Sequence, residues 1–475
     1  MISVLLILIP LIAGIASFLI KGNNLHKQWA VLASLAALVV SLLGICGSSI
    51  SLNFDANWIP TFGSRFSTKI DGMSQILCLL TAISYPLIFI STYKNEYKNA
   101  RSFYGLMLLS QAGLMGVFVA SDALLFYFFW ELTLIPLYFL CSKYGGDRRI
   151  AVTFKFFVYT FVGSLLMLIG IVYLYYKTPH HSFALADFYA LKLSIKEQGF
   201  IFWLFFIAFA IKMPIFPFHT WQPEAYEETS TAVTMVLSAV LVKMGLFAVI
   251  RWVVPIFPDA VTHNAPIIIT LCVISMLYAS LLAVKQDNFK RMIAYSSIVH
   301  MALMCASIFA MNNIALKGVM IQMFNHGINM LGLWIVADAI EQKTGTIKFS
   351  ELGGLAQKAP ALAILFFIMA LANVALPLTN AFVGEFLMFS GLFQYNVYAS
   401  SLALLSIILA AVYTLNMMQK VFYGNTLPAT ENTTEVKRNV QFSLAVLSII
   451  IIVLGVYPSP LINLTKDTVL FIIGK

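Results

Sequence analysis

The chain is 475 residues long, 60% of its residues are hydrophobic, and only 10% are charged. Apolar runs long enough to cross a bilayer recur from end to end, without the alternating pattern of a membrane barrel. This composition excludes a soluble globular domain and predicts an all-α polytopic membrane protein. The formal net charge of +9 comes from Lys and Arg scattered among short loops. Because they form no basic face with interleaved aromatic residues, the charge argues against a nucleic-acid partner, and we interpret it as setting the orientation of the chain in the lipid bilayer.

Hydropathy predicts about 14 transmembrane helices, because about 20 helical residues fit a hydrocarbon core of roughly 30 Å. The first run has no basic stretch before it and no cleavage signal after it, so we expect a retained helix and not a removed signal peptide. The predicted spans lie near residues 2–20, 29–50, 71–93, 102–120, 122–142, 150–176, 199–219, 230–251, 264–285, 290–311, 314–338, 360–393, 398–422 and 440–463.

The five cysteines all fall within apolar runs and show no CxxC spacing. This pattern predicts buried small hydrophobic side chains and argues against disulfides, zinc ligands and cluster ligands. The adjacent His180 and His181 have no further ligand near them in the sequence, so we interpret them as a loop pair and predict no metal site. The cysteines are Cys46, Cys78, Cys141, Cys272 and Cys305.

Lys and Arg are concentrated in the loops that follow odd-numbered spans, such as 143–149 and 285–291. Positively charged loops tend to stay on the cytoplasmic side, and an even number of spans places both ends of a chain on one side. We therefore expect the odd-numbered loops in the cytoplasm and both termini on the outer, periplasmic side.

No long polar linker divides the chain, so residues 1–475 are predicted to form a single membrane domain. The motif KMPIFP, with Pro214 and Pro217, should break the seventh span, and NVALPLTN should break the twelfth. These spans lie five apart, an odd offset that reverses direction across the membrane, and paired broken helices mark inverted repeats in transporters. We therefore predict N-terminal helices 1–3, two inverted five-helix repeats that each contain a broken helix, and a final helix, over residues 1–100, 101–251, 264–422 and 440–463.

Four ionisable side chains fall well inside apolar runs, namely Glu131, Lys212, Lys243 and Glu385. A charge at the bilayer centre costs at least about 2.5–3.5 kcal/mol, so these groups should face a protein interior or water. Two carboxylates and two amines in a partly dry interior can relay protons, because burial and opposite charges tune their proton affinities. The alternative is a structural ion pair between Glu131 and a lysine that only locks helices together.

His300 and His326 also lie inside apolar spans, and an imidazole can pass a proton between its two nitrogens near neutral pH. Either residue could instead be a core histidine with satisfied hydrogen bonds. Their occurrence on neighbouring spans, with Ser296, Ser297 and Asn325 as polar company, favours a role in a relay.

Further charged positions carry the same ambiguity. His219 stands beside the break in the seventh span, whereas Lys155 begins its span and is better interpreted as reaching the cytoplasmic surface. Glu224, Glu227 and Glu228 form an acidic patch, which we interpret as a solvated face that could also collect protons near an entrance.

Taken together, these motifs resemble the antiporter-like membrane subunits of respiratory complex I, the NADH-quinone oxidoreductases, and most closely their subunit M type. The resemblance is strongest from about 122 to 390. Glu385 matches the M type, because the L and N types and several multisubunit cation/proton antiporter proteins carry a lysine there. Gln222 and Glu224 depart from the family's usual Leu-Pro-Lys. The motifs are FWELTLIPLYFL, KMPIFPFHTWQPEAY, LVKMGL, DNFKRMIAYSSIVHMALM, NHGINM and LPLTNAFVGEF.

The resemblance implies a proton path in which Glu131 and Lys212 form a modulating ion pair. Lys243 with the histidines would be the central relay, and Glu385 the terminal group. About a dozen residues follow the last predicted span, too few for the long lateral helix of the L type.

The resemblance also implies a proton-translocating subunit of an enzyme whose redox chemistry lies elsewhere. No dinucleotide, phosphate-loop, cluster or haem motif occurs in the chain, so NADH, FMN, iron–sulfur clusters and quinone are expected in partner subunits. Partners would include L-type and N-type subunits in a bacterial inner membrane, although an organelle-encoded homologue would look similar. The alternatives are a subunit of a multisubunit sodium/proton antiporter and a structural spacer.

Overall fold

The computed structural model describes residues 1–47 and 51–474. Eleven helices in this part of the chain are long and apolar enough to cross a membrane. The helices are α1 (Ile2–Ser17), α2 (Asn23–Cys46), α3 (Gly72–Ser91), α4 (Ala100–Val119), α5 (Ala123–Lys143), α6 (Arg149–Lys177), α7 (Leu185–Tyr189), α8 (Ile195–Lys212), α9 (Trp221–Glu228), α10 (Thr231–Ile256), α11 (Pro258–Val284), α12 (Phe289–Phe309), α13 (Asn313–Thr344), α14 (Leu355–Lys358), α15 (Pro360–Asn373), α16 (Asn380–Tyr395), α17 (Val397–Phe422), α18 (Pro428–Glu431), α19 (Arg438–Val456) and α20 (Ser459–Ile472).

The predicted spans each correspond to one helix or to a broken pair of helices, so the all-α polytopic fold is confirmed. The last predicted span ends earlier than expected, at Val456, and α20 follows as a separate short helix after Pro458. The structure contains both predicted breaks, while the boundaries of the two inverted repeats remain a prediction.

A β-hairpin between α2 and α3 was not predicted. Strand β1 (Phe54–Ile59) pairs antiparallel with β2 (Ser64–Thr68), and Gly63 at the turn has a positive φ of 68°. Asp122 holds this hairpin against α5: its carboxylate accepts bonds of 3.0 Å from Ser64 Oγ and the Arg65 amide while also capping α5. The hairpin is therefore fixed to the start of a spanning helix.

The seventh span is broken as predicted, since α8 ends at Lys212 and α9 begins at Trp221. Proline rings remove backbone donors and leave carbonyls that need other partners. The Trp221 indole Nε1 donates to the Ile211 carbonyl at 3.0 Å, and the Phe216 amide donates to Ser275 Oγ at 3.3 Å. Side chains of α9 and α11 thus provide hydrogen-bond partners for backbone groups at the break.

The twelfth span is broken between Asn373 and Asn380, also as predicted. Ala375 and Leu378 adopt positive φ values of 57° and 73°, which are strained for residues with a side chain. Amide side chains of α13 bond backbone carbonyls on both sides of this break: Asn329 donates to a carbonyl of α15, and Asn325 donates to the Asn380 carbonyl.

The core lies around α10 and α13, whose apolar segments are entirely buried. Helix α13 packs against α3, α10, α15, α16, α19 and α20, whereas α2, α17 and α19 expose much of their apolar surface.

Cys46 lies at the exposed end of α2, so the prediction that all five cysteines are buried is wrong for this residue. The other four are buried, and all five are free thiols.

Candidate functional site

Lys243 lies near the middle of α10, between two π-helical segments, Leu237–Leu241 and Val249–Val253. Such segments are rare and recur at functional sites, because the wider turn frees backbone carbonyls. The completely buried Lys243 Nζ donates to the Ser238 carbonyl at 2.7 Å and lies 2.8 Å from Nδ1 of His326. The first π segment therefore supplies one partner of the amine, and α13 supplies the other.

The polar contacts continue from His326 to α16. The rings of His326 and His300 are 5.3 Å apart between centroids and tilted by 57°. Nδ1 of His300 lies 3.0 Å from a carboxylate oxygen of Glu385. The structure thus brings together four predicted site residues from α10, α12, α13 and α16, in the order Lys243, His326, His300 and Glu385.

This row contains one gap. Nε2 of His326 and Nε2 of His300 are both buried and have no hydrogen-bond partner. An imidazole that accepts at one nitrogen can donate at the other, so the two histidines can carry a proton between Lys243 and Glu385 once a water or a ring rotation joins their Nε2 atoms.

Within residues 1–47 and 51–474, no group of three or more His, Cys, Asp or Glu side chains could hold a metal ion.

Polar side chains surround the acidic end of the row. Gln322 donates to Glu385 at 3.3 Å, and Ser296 Oγ donates to Asn373 Oδ1 at 3.2 Å. The Tyr413 hydroxyl donates to Ser296 at 3.0 Å. A very small cavity, of about 10 Å³, lies beside His300 and Glu385 and borders Asn373 and Val374 at the break in the twelfth span, but most of its lining is apolar.

Glycines let α13 approach its neighbours closely at this site. A Cβ at Gly327 would lie 2.6 Å from Leu80 on α3 and 2.8 Å from the Ala239 carbonyl in the first π segment of α10. A Cβ at Gly384 would collide with Gln322. The absence of these two side chains thus permits the short contacts of α13 with Lys243 and Glu385.

The structure does not join Glu131 and Lys212. Lys212 Nζ and Glu131 Oε1 are buried without a hydrogen-bond partner, and no ion pair connects the two residues. Instead, the Lys212 ammonium faces the ring of Trp130 at 5.3 Å from its centroid, a favourable cation–π contact. The ion pair implied by the resemblance is therefore not formed in this conformation.

Two further predicted residues lie outside the row. His219 is buried in the seventh-span break, where its ring packs near Phe216 and Tyr278, and its Nδ1 has no hydrogen-bond partner. Lys155 pairs with Glu224 at 3.1 Å, with both side chains about one-third exposed. This contact agrees with the interpretation of Lys155 as a surface group.

The acidic patch is not simply a solvated face, which corrects that interpretation. Glu228 pairs with Arg148 at 2.9 Å, and Glu227 pairs with Arg291 at 2.7 Å. The hydrogen bond to Glu228 is the main cause that raises the pKa of Arg148. These glutamates at the end of α9 are thus joined to Arg148 before α6 and to Arg291 in the first turn of α12, pairings that sequence spacing could not predict.

Sequence reasoning missed a second buried polar group at the end of α13. Asp338, 7% exposed, accepts from Asn95 Nδ2 at 3.1 Å. Glu341, one turn further, pairs at 2.7 Å with Lys290, whose side chain is 5% exposed, and accepts from Thr231 at 3.1 Å. An open cavity borders this group and leads to the odd-numbered loops. The only sequence signal for this group is Asp338 at the last position of a predicted span, where an acidic residue is expected to reach water.

The opposite end of α10 is also held by charge. Arg251, in the second π segment, forms two contacts of 2.7 Å with the Asp71 carboxylate, which caps α3. Tyr189 donates its hydroxyl to the Arg251 carbonyl at 2.7 Å. Both ends of the helix that carries Lys243 are therefore anchored by polar contacts.

The chain matches the family described as NADH:quinone oxidoreductase/Mrp antiporter, TM, over residues 120–411. It is 36% identical to the F(420)H(2) dehydrogenase subunit M of Methanosarcina mazei, covering 97% of this chain and 95% of that protein. It is 34% identical to the NADH-quinone oxidoreductase subunit M of Rickettsia typhi, covering 93% and 92%. A chain in the structure of respiratory complex I from Thermus thermophilus with bound NADH is 29% identical, with a TM-score of 0.91 and 100% of both chains covered.

Proposed function

Because the chain belongs to the NADH:quinone oxidoreductase/Mrp antiporter transmembrane family, as its motifs predicted, we propose that it is the proton-translocating membrane subunit of an NADH-quinone oxidoreductase of the complex I type. One observation supports this proposal above the others: a row of titratable groups, Lys243, His326, His300 and Glu385, crosses four helices in the buried core. A spacer would have no need for ionisable groups at these positions, because burying them is costly.

In the proposed relay, the Lys243 ammonium gives a proton to Nδ1 of His326 across 2.8 Å. His326 releases a proton from Nε2 toward Nε2 of His300, across the gap that a water or ring rotation must close. His300 then gives its Nδ1 proton to Glu385 across 3.0 Å. After one transfer Lys243 is neutral and each imidazole holds its proton on the opposite nitrogen. The row resets when both rings turn over or exchange their proton between the two nitrogens, Lys243 takes up a new proton and Glu385 releases its own.

The cavity at Asp338 is the proposed source of these protons. It opens toward the odd-numbered loops, and it borders both Thr231 at the start of α10 and Lys290 at the start of α12. A proton that enters there needs to travel along α10 or α13 to reach Lys243 or His326. Under the proposed orientation this entrance faces the cytoplasm, and both termini lie on the periplasmic side of a bacterial inner membrane.

Lys212 and Glu131 are proposed to control this relay. Helix α8, which ends at Lys212, packs against α10 at Gly245, where a Cβ would lie 2.7 Å from the Phe209 carbonyl. A change of charge state at Lys212 would therefore act on the helix that carries Lys243. Pairing of Lys212 with Glu131 in a second conformation would supply that change.

The redox groups are proposed to lie in other subunits. NADH, FMN, iron–sulfur clusters and quinone would bind there, and this chain would contribute to the enzyme as its translocase part. L-type and N-type antiporter-like subunits are the proposed neighbours. Structural neighbours in multisubunit membrane assemblies support a partnered state.

The proposal is tested by Lys243→Ala in the assembled complex, reconstituted into vesicles with a pH-sensitive dye. Proton pumping is expected to fall at least tenfold, because removal of one positioned proton carrier typically costs about 10²–10⁴ in rate. The matched control is Lys285→Ala, which removes an exposed lysine from an odd-numbered loop and should leave pumping unchanged. Normal pumping by Lys243→Ala in an intact complex would establish the spacer instead.

The second candidate is a subunit of a multisubunit sodium/proton antiporter, because the family description includes Mrp antiporters. Affinity purification of the tagged chain from its own membranes separates the two functions. Recovery with peripheral dehydrogenase subunits supports the enzyme, whereas recovery with antiporter membrane proteins alone would refute it.

A further inference from the structure

A cavity of about 600 Å³ lies between the loop that joins α1 to α2 and the loop that joins α3 to α4. Its size falls within the range of small-molecule sites. Both loops follow odd-numbered spans, so they lie on the side that carries most of the positive charge. Its lining includes Lys21, His26, Lys27, Glu96, Asn99 and Arg101.

The cavity has an excess of positive charge that the protein does not neutralise. Among the described residues, none of Lys21, Lys27 and Arg101 forms an ion pair with a carboxylate. Lys27 is held in place by backbone carbonyls, since its Nζ donates to Tyr93 at 2.8 Å and Asn95 at 3.0 Å. Arg101 makes one long bond of 3.4 Å, to the Phe18 carbonyl. Three cations against the single carboxylate of Glu96 therefore leave room for an anion.

A buried histidine supplies an independent indication of a ligand. His26 is only 3% exposed and lines the cavity, yet its Nδ1 has no hydrogen-bond partner among the side chains and backbone that the structure describes. A buried polar atom without a partner is costly, so native proteins rarely leave one unsatisfied. An oxyanion within the cavity could accept from this imidazole and from Lys27 at once.

Exposed apolar side chains lie close in sequence to the residues that line the cavity. Leu19 is 79% exposed, Leu25 53% and Leu32 62%, and all three belong to the same loop or to the first turns of α2. The indole of Trp29 lies on the same helix with its Nε1 bonded to a carbonyl of α1, as is usual for aromatic residues at a membrane interface. These leucines do not line the cavity, but Leu19 and Leu25 neighbour its lining residues Ile20, Asn24 and His26 in the sequence, so acyl chains that extend from a headgroup in the cavity would meet apolar surface outside it.

We propose that this cavity binds the phosphate headgroup of an anionic phospholipid, with Lys21, Lys27, Arg101 and His26 around the phosphate and the acyl chains along α1 and α2. Basic pockets between transmembrane helices at the cytoplasmic surface recognise such headgroups. A free inorganic phosphate would satisfy the cations but would leave the neighbouring leucines exposed. The lipid accounts for both features.

The test measures binding of dioleoyl phosphatidylglycerol to the purified full-length chain in detergent, by native mass spectrometry across a lipid titration. Lys21→Gln and Arg101→Gln should each weaken binding about fivefold, because one basic residue near an anionic lipid contributes roughly that factor. Lys21→Arg and Arg101→Lys keep the charge and should bind normally. The matched controls are Lys285→Gln and Lys437→Gln, which neutralise exposed lysines in other odd-numbered loops and should bind like the wild type.

Two further probes separate the sources of the anion. Dioleoyl phosphatidylcholine should bind at least tenfold more weakly than the anionic lipid, and 10-fold excess inorganic phosphate should compete poorly. Equal loss in the control variants, or equal competition by free phosphate, would overturn the lipid site. A lipid bound by the isolated chain but absent from the assembled complex would assign the cavity to a partner subunit and would also overturn it.

Discussion

The two broken helices hold their buried charges in different ways. Near the twelfth-span break, Glu385 bonds to His300, and the row continues to Lys243, whose amine has two partners. Near the seventh-span break, Lys212 Nζ and Glu131 Oε1 are buried without any hydrogen-bond partner. One region is an assembled network, and the other contains charged groups that still lack their partners.

This difference suggests separate roles for the two regions in the proposed function. Near the twelfth-span break, Lys243, His326, His300 and Glu385 each have at least one polar contact that they would lose on moving, although the Nε2 atoms of the two histidines are not joined. An unpartnered buried amine has no such restraint, and the face of Trp130 compensates only part of its lost hydration. Under the proposed relay, the row from Lys243 to Glu385 would conduct protons, whereas Lys212 and Glu131 would be the groups that change state.

The strongest test of this difference compares Lys243→Met with Lys212→Met in thermal unfolding of the purified chain. Lys243→Met removes both bonds of a buried amine and leaves the Ser238 carbonyl and His326 without it, so the protein should be destabilised by about 1–3 kcal/mol. Lys212→Met removes a group with no hydrogen bond, so stability should rise by about 1 kcal/mol after loss of the Trp130 contact.

Methionine is used in both variants because it matches the length of the lysine stem and its flexibility. Lys285→Met, on the exposed surface, controls for the change of charge and should shift the unfolding midpoint little. Destabilisation of the same size at positions 212 and 243 would contradict the proposed difference between the regions.

Much of the scaffold around both regions could be predicted from the sequence. Hydropathy located the spans because lipid forces backbone groups into helices, and Pro214 and Pro217 located one break because they lack amide protons. The intramembrane charges stood out for the same reason, since few residue types are costlier in lipid. These predictions rest on local chemistry that needs no knowledge of neighbours.

The contacts between spans could not be predicted in this way. Nothing in the spacing places His300 beside Glu385, or leaves Lys212 beside Trp130, because those distances depend on how the helices pack. The two π segments beside Lys243, LSAVL and VIRWV, contain no proline or glycine, so nothing in their sequence predicts them. The β-hairpin has a weak signal in the sequence, because FDANWI alternates in polarity over only a few residues and SRFST contains a single apolar side chain.

Gly327→Ala tests whether close packing holds the assembled region in place. An added Cβ would press on the Ala239 carbonyl and Leu80, and such overpacking typically costs about 1–3 kcal/mol. The same displacement should lengthen the contact between Lys243 and His326 and slow proton pumping. Gly199→Ala is the control, since no atom lies within 4 Å of its added Cβ and helix propensity should slightly favour alanine. A Gly327→Ala protein that pumps at the wild-type rate would show that this contact does not limit transfer.

The smallest expected effect is also the sharpest test of the first region. In a double-mutant cycle of Glu131→Gln and Lys212→Met, the two changes in unfolding free energy should add within about 0.5 kcal/mol, because the side chains do not pair in this conformation. Their effects on proton pumping should not add, because the switch requires the pair to form and open during turnover. Measurement of both quantities on the same four proteins separates a resting contact from a working one. Additive effects on pumping would exclude coupling between Glu131 and Lys212, and a large coupling in stability would mean that the pair is already formed at rest.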